Sequence, residues 1–294
     1  MREQHRDIMS FDFDKYGRVN VEEVRELQKC QLEILREIDR ICTEHNLVYC
    51  LALGSCLGAV RHGGFIPWDD DIDIYMPIED FEKLEKCRKS FKAPYFLQTH
   101  KSDPNYRLMI GRVRNSETTL IEESEINQDI NHGIFVDIYP LFHCPKGKIR
   151  VKKVIFASML YRLLLYGEPP KKRGTVMKVG SFILLKVIPK KSRDKLQHLC
   201  YHYFRKQRFT GWLSSLYGDE VSMKFPYDWL FPACRRVFED MQVYIPANAD
   251  KYLKYTYGDY MKLPPVQEWK FHHSYVCVDL DKPYTVYKGK LYCK

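Results

Sequence analysis

Apolar residues recur at helical spacing over residues 19–46, where Val21, Val24, Leu27, Leu32, Leu35, Ile38 and Ile41 are separated by charged positions. The spacing predicts one long amphipathic helix with a core-facing stripe. The period then changes. Leu47–Leu53 is a short apolar run, read as a buried strand, and Gly54-Ser55 interrupts it. Cys56–His62 reads as a short helix ended by Gly63-Gly64, and Pro67-Trp68 as a turn. Asp70–Met76 alternates polar and apolar residues as a strand does, and Pro77 stops it.

Helical spacing returns over Ile78–Phe91. Tyr95–Gln98, Arg107–Val113 and Gly133–Tyr139 are further strand candidates. Residues 151–208 read as mainly helical, and residues 209–294 as aromatic-rich and irregular. This order of elements predicts an α+β fold, a small mixed sheet with helices packed on it. Three regions are expected. They are a catalytic core over 1–144, a helical insert over 145–208, and a C-terminal region over 209–294 that completes the core's domain.

Charge sharpens that division. Pro145–Arg208 carries 18 Lys or Arg against Glu168 and Asp194, a charge of +16, which leaves −7 elsewhere because the whole chain is +9. An acidic core joined to a basic insert is the coarse organisation. Within the insert, Val154–Tyr166 and Val176–Ile188 are apolar runs interrupted by Arg162, Lys178 and Lys186. Neither reaches the ~20 uninterrupted residues of a membrane span. With Lys171-Lys172-Arg173 and Lys190-Lys191 beside them, they suit helices lying on an anionic membrane surface. A nucleic-acid patch and a plain solvated face are the other readings, and nucleic acid is disfavoured.

The ten cysteines are scattered without a CxxC pair, the pattern of reduced thiols rather than of a disulfide frame or zinc ribbon. The segment MREQHRDIMS lacks the apolar stretch of a secretory signal. A cytoplasmic protein is expected, with peripheral contact at the inner face of the membrane through 145–208.

The candidate chemistry begins with Asp69-Asp70-Asp71-Ile72-Asp73-Ile74. Residues two apart in a strand share a face, so Asp71 and Asp73 are expected side by side with Ile72 and Ile74 in the core. Paired carboxylates repel unless a cation lies between them, and oxygen ligands suit Mg²⁺ or Mn²⁺. Asp69 and Asp70 fall outside this pair. Upstream, Gly54-Ser55 marks a strand-to-helix junction, where free N–H groups and the helix dipole hold a phosphate. Ser55 is expected to cap that helix and offer its hydroxyl. Asp137, the one charge in Ile134-Phe135-Val136-Asp137-Ile138-Tyr139, is expected to complete a metal site with Asp71 and Asp73. A structural Arg partner is the other reading.

Arg61, His62, Arg114 and His132 are further candidates for phosphate or substrate contact, with Arg112, His272 and His273 behind them. Arg112 and Arg114 alternate in one strand and so share a face. Tyr257 and Tyr260 read as core residues.

Leu53–Ile74, with its GSCLGAVRHGGFIPWDDDIDI run, closely resembles the hallmark block of the LicD family. His132–Leu141 looks like that family's second block. Tyr257–Met261 with Leu263-Pro264-Pro265 and His272-His273 is similar to its C-terminal block. The resemblance spans roughly residues 30–280 and implies a polymerase-β-like nucleotidyltransferase core. It also implies transfer of a phosphorylated alcohol, such as phosphocholine, from a CDP-alcohol donor. The acceptor it implies is a sugar of a cell-surface glycan, lipopolysaccharide or teichoic acid, free or lipid-linked. Two alternatives stand beside this reading. One is a true nucleotidyltransferase acting on a small molecule or RNA. The other is an inactive membrane-binding module.

Overall fold

The computed structural model describes residues 21–169, 174–216, 223–265, 268–269 and 273–294. Helix α1 (Val21–Glu44) buries Leu27, Ile34, Leu35, Ile38 and Ile41 along the expected stripe. Burying such a side chain contributes about 1.5–3 kcal/mol. The same face also buries two glutamines. Gln28 Nε2 donates to the carbonyls of Ile66 (3.1 Å) and Asp69 (2.9 Å), and Gln31 Nε2 to that of Asp70 (2.8 Å). The packing helix therefore also holds the backbone of the acidic loop.

A mixed, curled sheet carries the core. Its strands β1 (Cys50–Leu51), β2 (Asp73–Pro77), β3 (Tyr95–Gln98), β4 (Gly111–Asn115) and β6 (Ile134–His143) lie in the order β1-β2-β6-β4-β3. Strand β5 (Thr119–Glu122) lies outside this sheet. The long strand β6 pairs in parallel with β2 and antiparallel with β4. Its far end, Phe142–His143, pairs with β7 (Trp212–Ser214), and β7 pairs with β8 (Phe225–Pro226). A parallel pair cannot be closed by a tight turn. Here α3 (Ile78–Lys86), β3, β4 and β5 fill the connection between β2 and β6.

Several boundaries differ from the sequence reading. Only Cys50–Leu51 of the Leu47–Leu53 run is paired, because Leu53 turns the chain with φ of 44° and donates its N–H to Tyr252 Oη at 2.9 Å. Helix α2 (Leu53–Arg61) thus starts three residues before Cys56, and Gly54 and Ser55 lie inside its first turn. The strand expected over Asp70–Met76 enters the ladder only at Asp73, and the one expected over Arg107–Val113 only at Gly111. Helix α3 ends at Lys86, where a separate 3₁₀ turn, Arg88–Ser90, takes over.

The basic segment forms three helices, α4 (Lys148–Tyr166), α5 (Thr175–Val187) and α6 (Lys190–Arg205). Helix α6 packs on α4 through Tyr161, Tyr201 and Phe204, and Arg205 ties it to Glu79 and Glu82 of α3. The Lys171-Lys172-Arg173 cluster lies outside the described residues.

Residues 209–294 are more ordered than their sequence suggested. After a short helix α7 (Tyr227–Leu230), β9 (Cys234–Phe238) and β10 (Met241–Ile245) form a hairpin. Helix α8 (Ala249–Tyr257) follows, and β11 (Tyr275–Asp279) pairs antiparallel with β5. The aromatic side chains supply much of the packing: Tyr75, Phe225 and Tyr252 meet in T-shaped or tilted contacts. Tyr260 is buried, whereas Tyr257 is 43% exposed and is not a core residue. All ten cysteines are free, and six are buried.

Candidate active site

One row of the sheet carries the charges. Asp73 of β2 lies opposite Asp137 of β6, and Asp137 lies opposite Arg112 of β4. Cross-strand partners project to the same face, so two carboxylates and a guanidinium stand in line. Ile72 and Ile74 are fully buried, as the alternation required.

Asp137 is not the unpartnered charge expected of it. Arg112 Nε donates to its Oδ1 at 2.7 Å. The same guanidinium donates to Glu122 (2.5 Å) and Glu125 (2.9 Å), and its plane rests 3.8 Å from the centre of the Phe135 ring. Arg114, two residues on, bonds Gln98, the Gly133 carbonyl and Glu125 and is fully enclosed. Arg112 and Arg114 do share a face, but that face is buried. Only Arg112 bonds to a carboxylate of the row.

His273 closes the circuit from the segment just before the C-terminal strand β11. Its Nε2 lies 3.0 Å from Asp71 Oδ2 and its Nδ1 lies 2.9 Å from Glu122 Oε1. Burial alone would lower its pKa, but the two carboxylates push it up to about 12, so the ring is an imidazolium here. Burial works to raise Glu122, and Arg112 and His273 overcome it and hold the carboxyl well below the usual range. Tyr275 Oη donates to Asp70 Oδ2 at 2.7 Å.

The first turn of α2 meets the acidic loop directly. A Cβ on Gly54 would lie 2.6 Å from Asp69 Oδ2, so only glycine leaves room for that carboxylate. Ser55 does not cap α2. Ala52 occupies the N-cap without a side-chain bond, and Ser55 Oγ accepts the Asp73 N–H at 2.8 Å. The serine thus fixes the start of β2.

The electrostatic balance is lopsided. Asp69, Asp70, Asp71, Asp73, Asp137, Glu122 and Glu125 are all buried, against Arg112, Arg114 and protonated His273. Burial, then the neighbouring carboxylates, pushes Asp69 and Asp73 well above the usual carboxylate range. Burial also raises Asp137, although Arg112 opposes it. Among the described residues, the enclosed Asp73 Oδ1 has no hydrogen-bond partner. An orphaned buried carboxylate oxygen costs several kcal/mol unless a cation meets it. The donor set therefore fits a hard divalent cation.

The grouping of those donors differs from the sequence expectation. Among the described residues, Asp69, Asp70 and Asp71 can each bring one oxygen within 4.8 Å of the others. Asp69 and Asp70 are thus part of the cluster, contrary to the expectation from strand alternation. Asp73, with its orphaned oxygen and its ladder neighbour Asp137, flanks this triplet. Asp71 itself precedes the ladder, so its place depends on the loop that Gln28 and Gln31 hold.

The other candidates are dispersed. Arg61 donates to the Tyr260 carbonyl (2.8 Å) and to His62 Nε2 (2.9 Å), and His62 is exposed beside Trp68. His132 is fully buried. It stands against Tyr284 and Tyr292, and its Nε2 lies 3.0 Å from the Gln128 carbonyl. Burial and Arg114 lower its pKa to about 4. It is a packed neutral imidazole with no open face for substrate. His272 lies outside the described residues. Glu122, Glu125, Tyr275, Gln28 and Gln31 were missed by the sequence reading. The one available signal was Gln28 and Gln31 interrupting an apolar helical face three residues apart.

A cleft of about 1270 Å³ reaches one side of the cluster, at Glu122, Glu125 and Asp137, while Asp69, Asp70, Asp71 and Asp73 lie outside its lining. Arg112, Glu122, Asp137 and His273 line its inner end, and Phe156, Met159, Leu160 and Leu163 of α4 with Leu184 of α5 line its outer wall.

Residues 46–160 match the family model described as LicD/FKTN/FKRP, nucleotidyltransferase domain. The chain is 26% identical over 268 residues to the lipopolysaccharide cholinephosphotransferase LicD of Haemophilus influenzae, covering 85% of this chain and 96% of that protein. It is 41% identical over 63 residues to the ribitol 5-phosphate transferase FKRP of Homo sapiens, which covers 20% of this chain and 13% of that one. An uncharacterized protein of Rickettsia prowazekii, RP689, is 37% identical over 60 residues, 20% of this chain and 23% of its own. The matched domain holds every carboxylate of the cluster, and the long alignment to a cholinephosphotransferase carries the likeness through most of the remaining chain. Through residues 46–160 the protein carries the LicD-family domain.

Proposed function

We propose that this protein is a divalent-metal-dependent phosphotransferase that moves a phosphorylated alcohol from a CDP-linked donor to a sugar hydroxyl of a glycan. The observation that carries this reading is Asp73 Oδ1, without a hydrogen-bond partner among the described residues, in a cluster of seven buried carboxylates faced by Arg112, Arg114 and the half-buried His273. The names of the relatives share a class of cargo, an alcohol phosphate, though not its identity: one is a cholinephosphotransferase and another a ribitol 5-phosphate transferase.

The residues divide the work. Asp73 and Asp71, with Asp137 or Asp69 and Asp70, would hold Mg²⁺ or Mn²⁺. The bound metal would neutralise charge on the donor diphosphate as CMP leaves. The first turn of α2, a polymerase-β-like feature in this reading, presents the Gly54 and Ser55 N–H groups toward a phosphate. Arg112 keeps Asp137 aligned, and His273 holds Asp71 against Glu122. The acceptor hydroxyl would approach along the cleft, whose wall near the carboxylates is polar.

A donor panel tests this. CDP-choline, CDP-ethanolamine, CDP-glycerol and CDP-ribitol are incubated with Mg²⁺ or Mn²⁺ and glycan acceptors, and the acceptor mass is followed. Metal-dependent CMP release with gain of the alcohol phosphate is expected. Release of pyrophosphate from CTP or ATP, with every CDP-alcohol inert, would make the protein a nucleotidyltransferase instead. Inertness toward every donor would leave the inactive membrane-binding reading.

A further inference from the structure

Helix α5 is apolar in sequence, yet among its described side chains only Leu185 is buried. Val179, Phe182, Ile183 and Val187 are 51%, 50%, 54% and 73% exposed. Positions 179, 182, 183 and 187 recur at helical spacing and form one stripe. Phe156 of α4 is 68% exposed as well. A globular protein rarely leaves so many large apolar side chains together in water.

Three further features identify what meets this stripe. The first is charge. Lys178 and Lys186 lie among the apolar residues, with Lys148, Arg150, Lys152 and Lys153 exposed on α4. They belong to a segment carrying +16 over Pro145–Arg208. The second is depth. No described helix is long and apolar enough to cross a membrane, so the stripe fits the headgroup region of a bilayer rather than its core. The third is position. Phe156 and Leu184 line the mouth of the cleft that leads to Asp137, and they lie beside the exposed residues.

We propose that α5 and the neighbouring flank of α4 dock on an anionic lipid bilayer, with the mouth of the cleft facing the bilayer. Phe182, Ile183 and Val187 enter the headgroup region, while the lysines pair with anionic lipid. An acceptor anchored in that bilayer reaches the carboxylates without leaving the membrane surface. This last point rests on the proposed phosphotransfer, but the docking does not.

The test is flotation of the full chain with vesicles of phosphatidylcholine alone or mixed with phosphatidylglycerol, at low and high salt. Binding to the mixed vesicles, weakened by salt, is expected. Phe182→Ser with Ile183→Ser should weaken partitioning about tenfold or more, with an unchanged circular dichroism spectrum. Phe182→Trp should be quenched by brominated lipid. CMP release with a water-soluble acceptor should be the same in the wild type and the double serine variant. That assay reads the phosphotransfer reading separately from docking. Failure of the wild type to float would overturn the proposal. So would salt-sensitive binding that ignores the serine substitutions, the behaviour of a plain polyanion site for RNA. A dimer in light scattering that the substitutions convert to a monomer, with no vesicle binding, would assign the stripe to a second copy of the chain.

Discussion

Asp73 and Asp137 are direct partners across the parallel β2–β6 ladder, two buried carboxylates facing the same side of one sheet. Arg112 satisfies one of them, and among the described residues the Asp73 Oδ1 atom has no hydrogen-bond partner.

Asp73→Asn is therefore expected to separate stability from activity. It removes an ionisable group whose charged form burial and the neighbouring carboxylates disfavour, so the metal-free variant should melt at or above the wild-type temperature. Metal at a hundred times its dissociation constant should stabilise the wild type by about 2.7 kcal/mol, and the variant by far less. Turnover should be lost. Thermal melts with and without Mg²⁺ check this, and an undiminished metal response in the variant would remove Asp73 from the site.

Gln31→Leu should damage the site from a distance. It leaves the Asp70 carbonyl without its buried donor, at a cost of roughly 1–3 kcal/mol. Denaturant unfolding measures that cost. Turnover should fall as well, because the loop carrying Asp69 to Asp71 loses one of its holds on α1. A variant with reduced stability but full turnover would confine Gln31 to packing.

His273 and Glu122 should act as a unit. Removing one partner of a buried ion pair strands the other, typically at 3–5 kcal/mol. His273→Ala and Glu122→Gln are thus each expected to be strongly destabilising, and their double-mutant cycle to give a coupling energy of about 0.5–3 kcal/mol. Strict additivity would mean that the 2.9 Å contact between them contributes nothing.

His132 sets an acid limit on stability. Its folded pKa is lowered to about 4 from an ordinary 6.5. The unfolded chain thus binds the proton more readily between those values. The stability that neutral His132 contributes is complete above about pH 6.5 and is lost as the pH falls toward 4. The loss has a ceiling on the order of 3 kcal/mol. Urea unfolding of wild type and His132→Asn across this range checks it. The variant's curve should be flatter there, and parallel curves would show that another group titrates.

Periodicity carried much of the fold. The stripe of α1, the alternation into β2 and the lone charge of β6 were all legible, because they are local and repeat at a fixed spacing. The strand β5 was not, and its partner β11 lies more than 150 residues away, so nothing local marks the pairing. The site divided the same way. Asp73 and Asp137 stood out as charges in apolar strands. Arg112 was noticed, but its partners depended on the sheet's strand order. Glu122, Glu125 and Tyr275 were ordinary polar residues until the fold brought them together. Asp69 and Asp70 were set aside because an ideal strand alternates. The chain is not yet a strand there, and Gln28 and Gln31 shape it instead.

The parallel pairing of β2 with β6 makes the alignment of Asp73 with Asp137 a matter of arithmetic along the backbone. Inserting or deleting one residue in either strand would turn its carboxylate to the opposite side of the sheet, whatever the side chains around it. Within the connection between the two strands, β4 carries the same constraint, since its register sets Arg112 opposite Asp137, and only the turns can lengthen or shorten freely. Across variants of this protein, length changes should therefore gather in the turns and be missing from the stretches Asp73–Pro77 and Asp137–Leu141, where five consecutive residue pairs hold the strands in step.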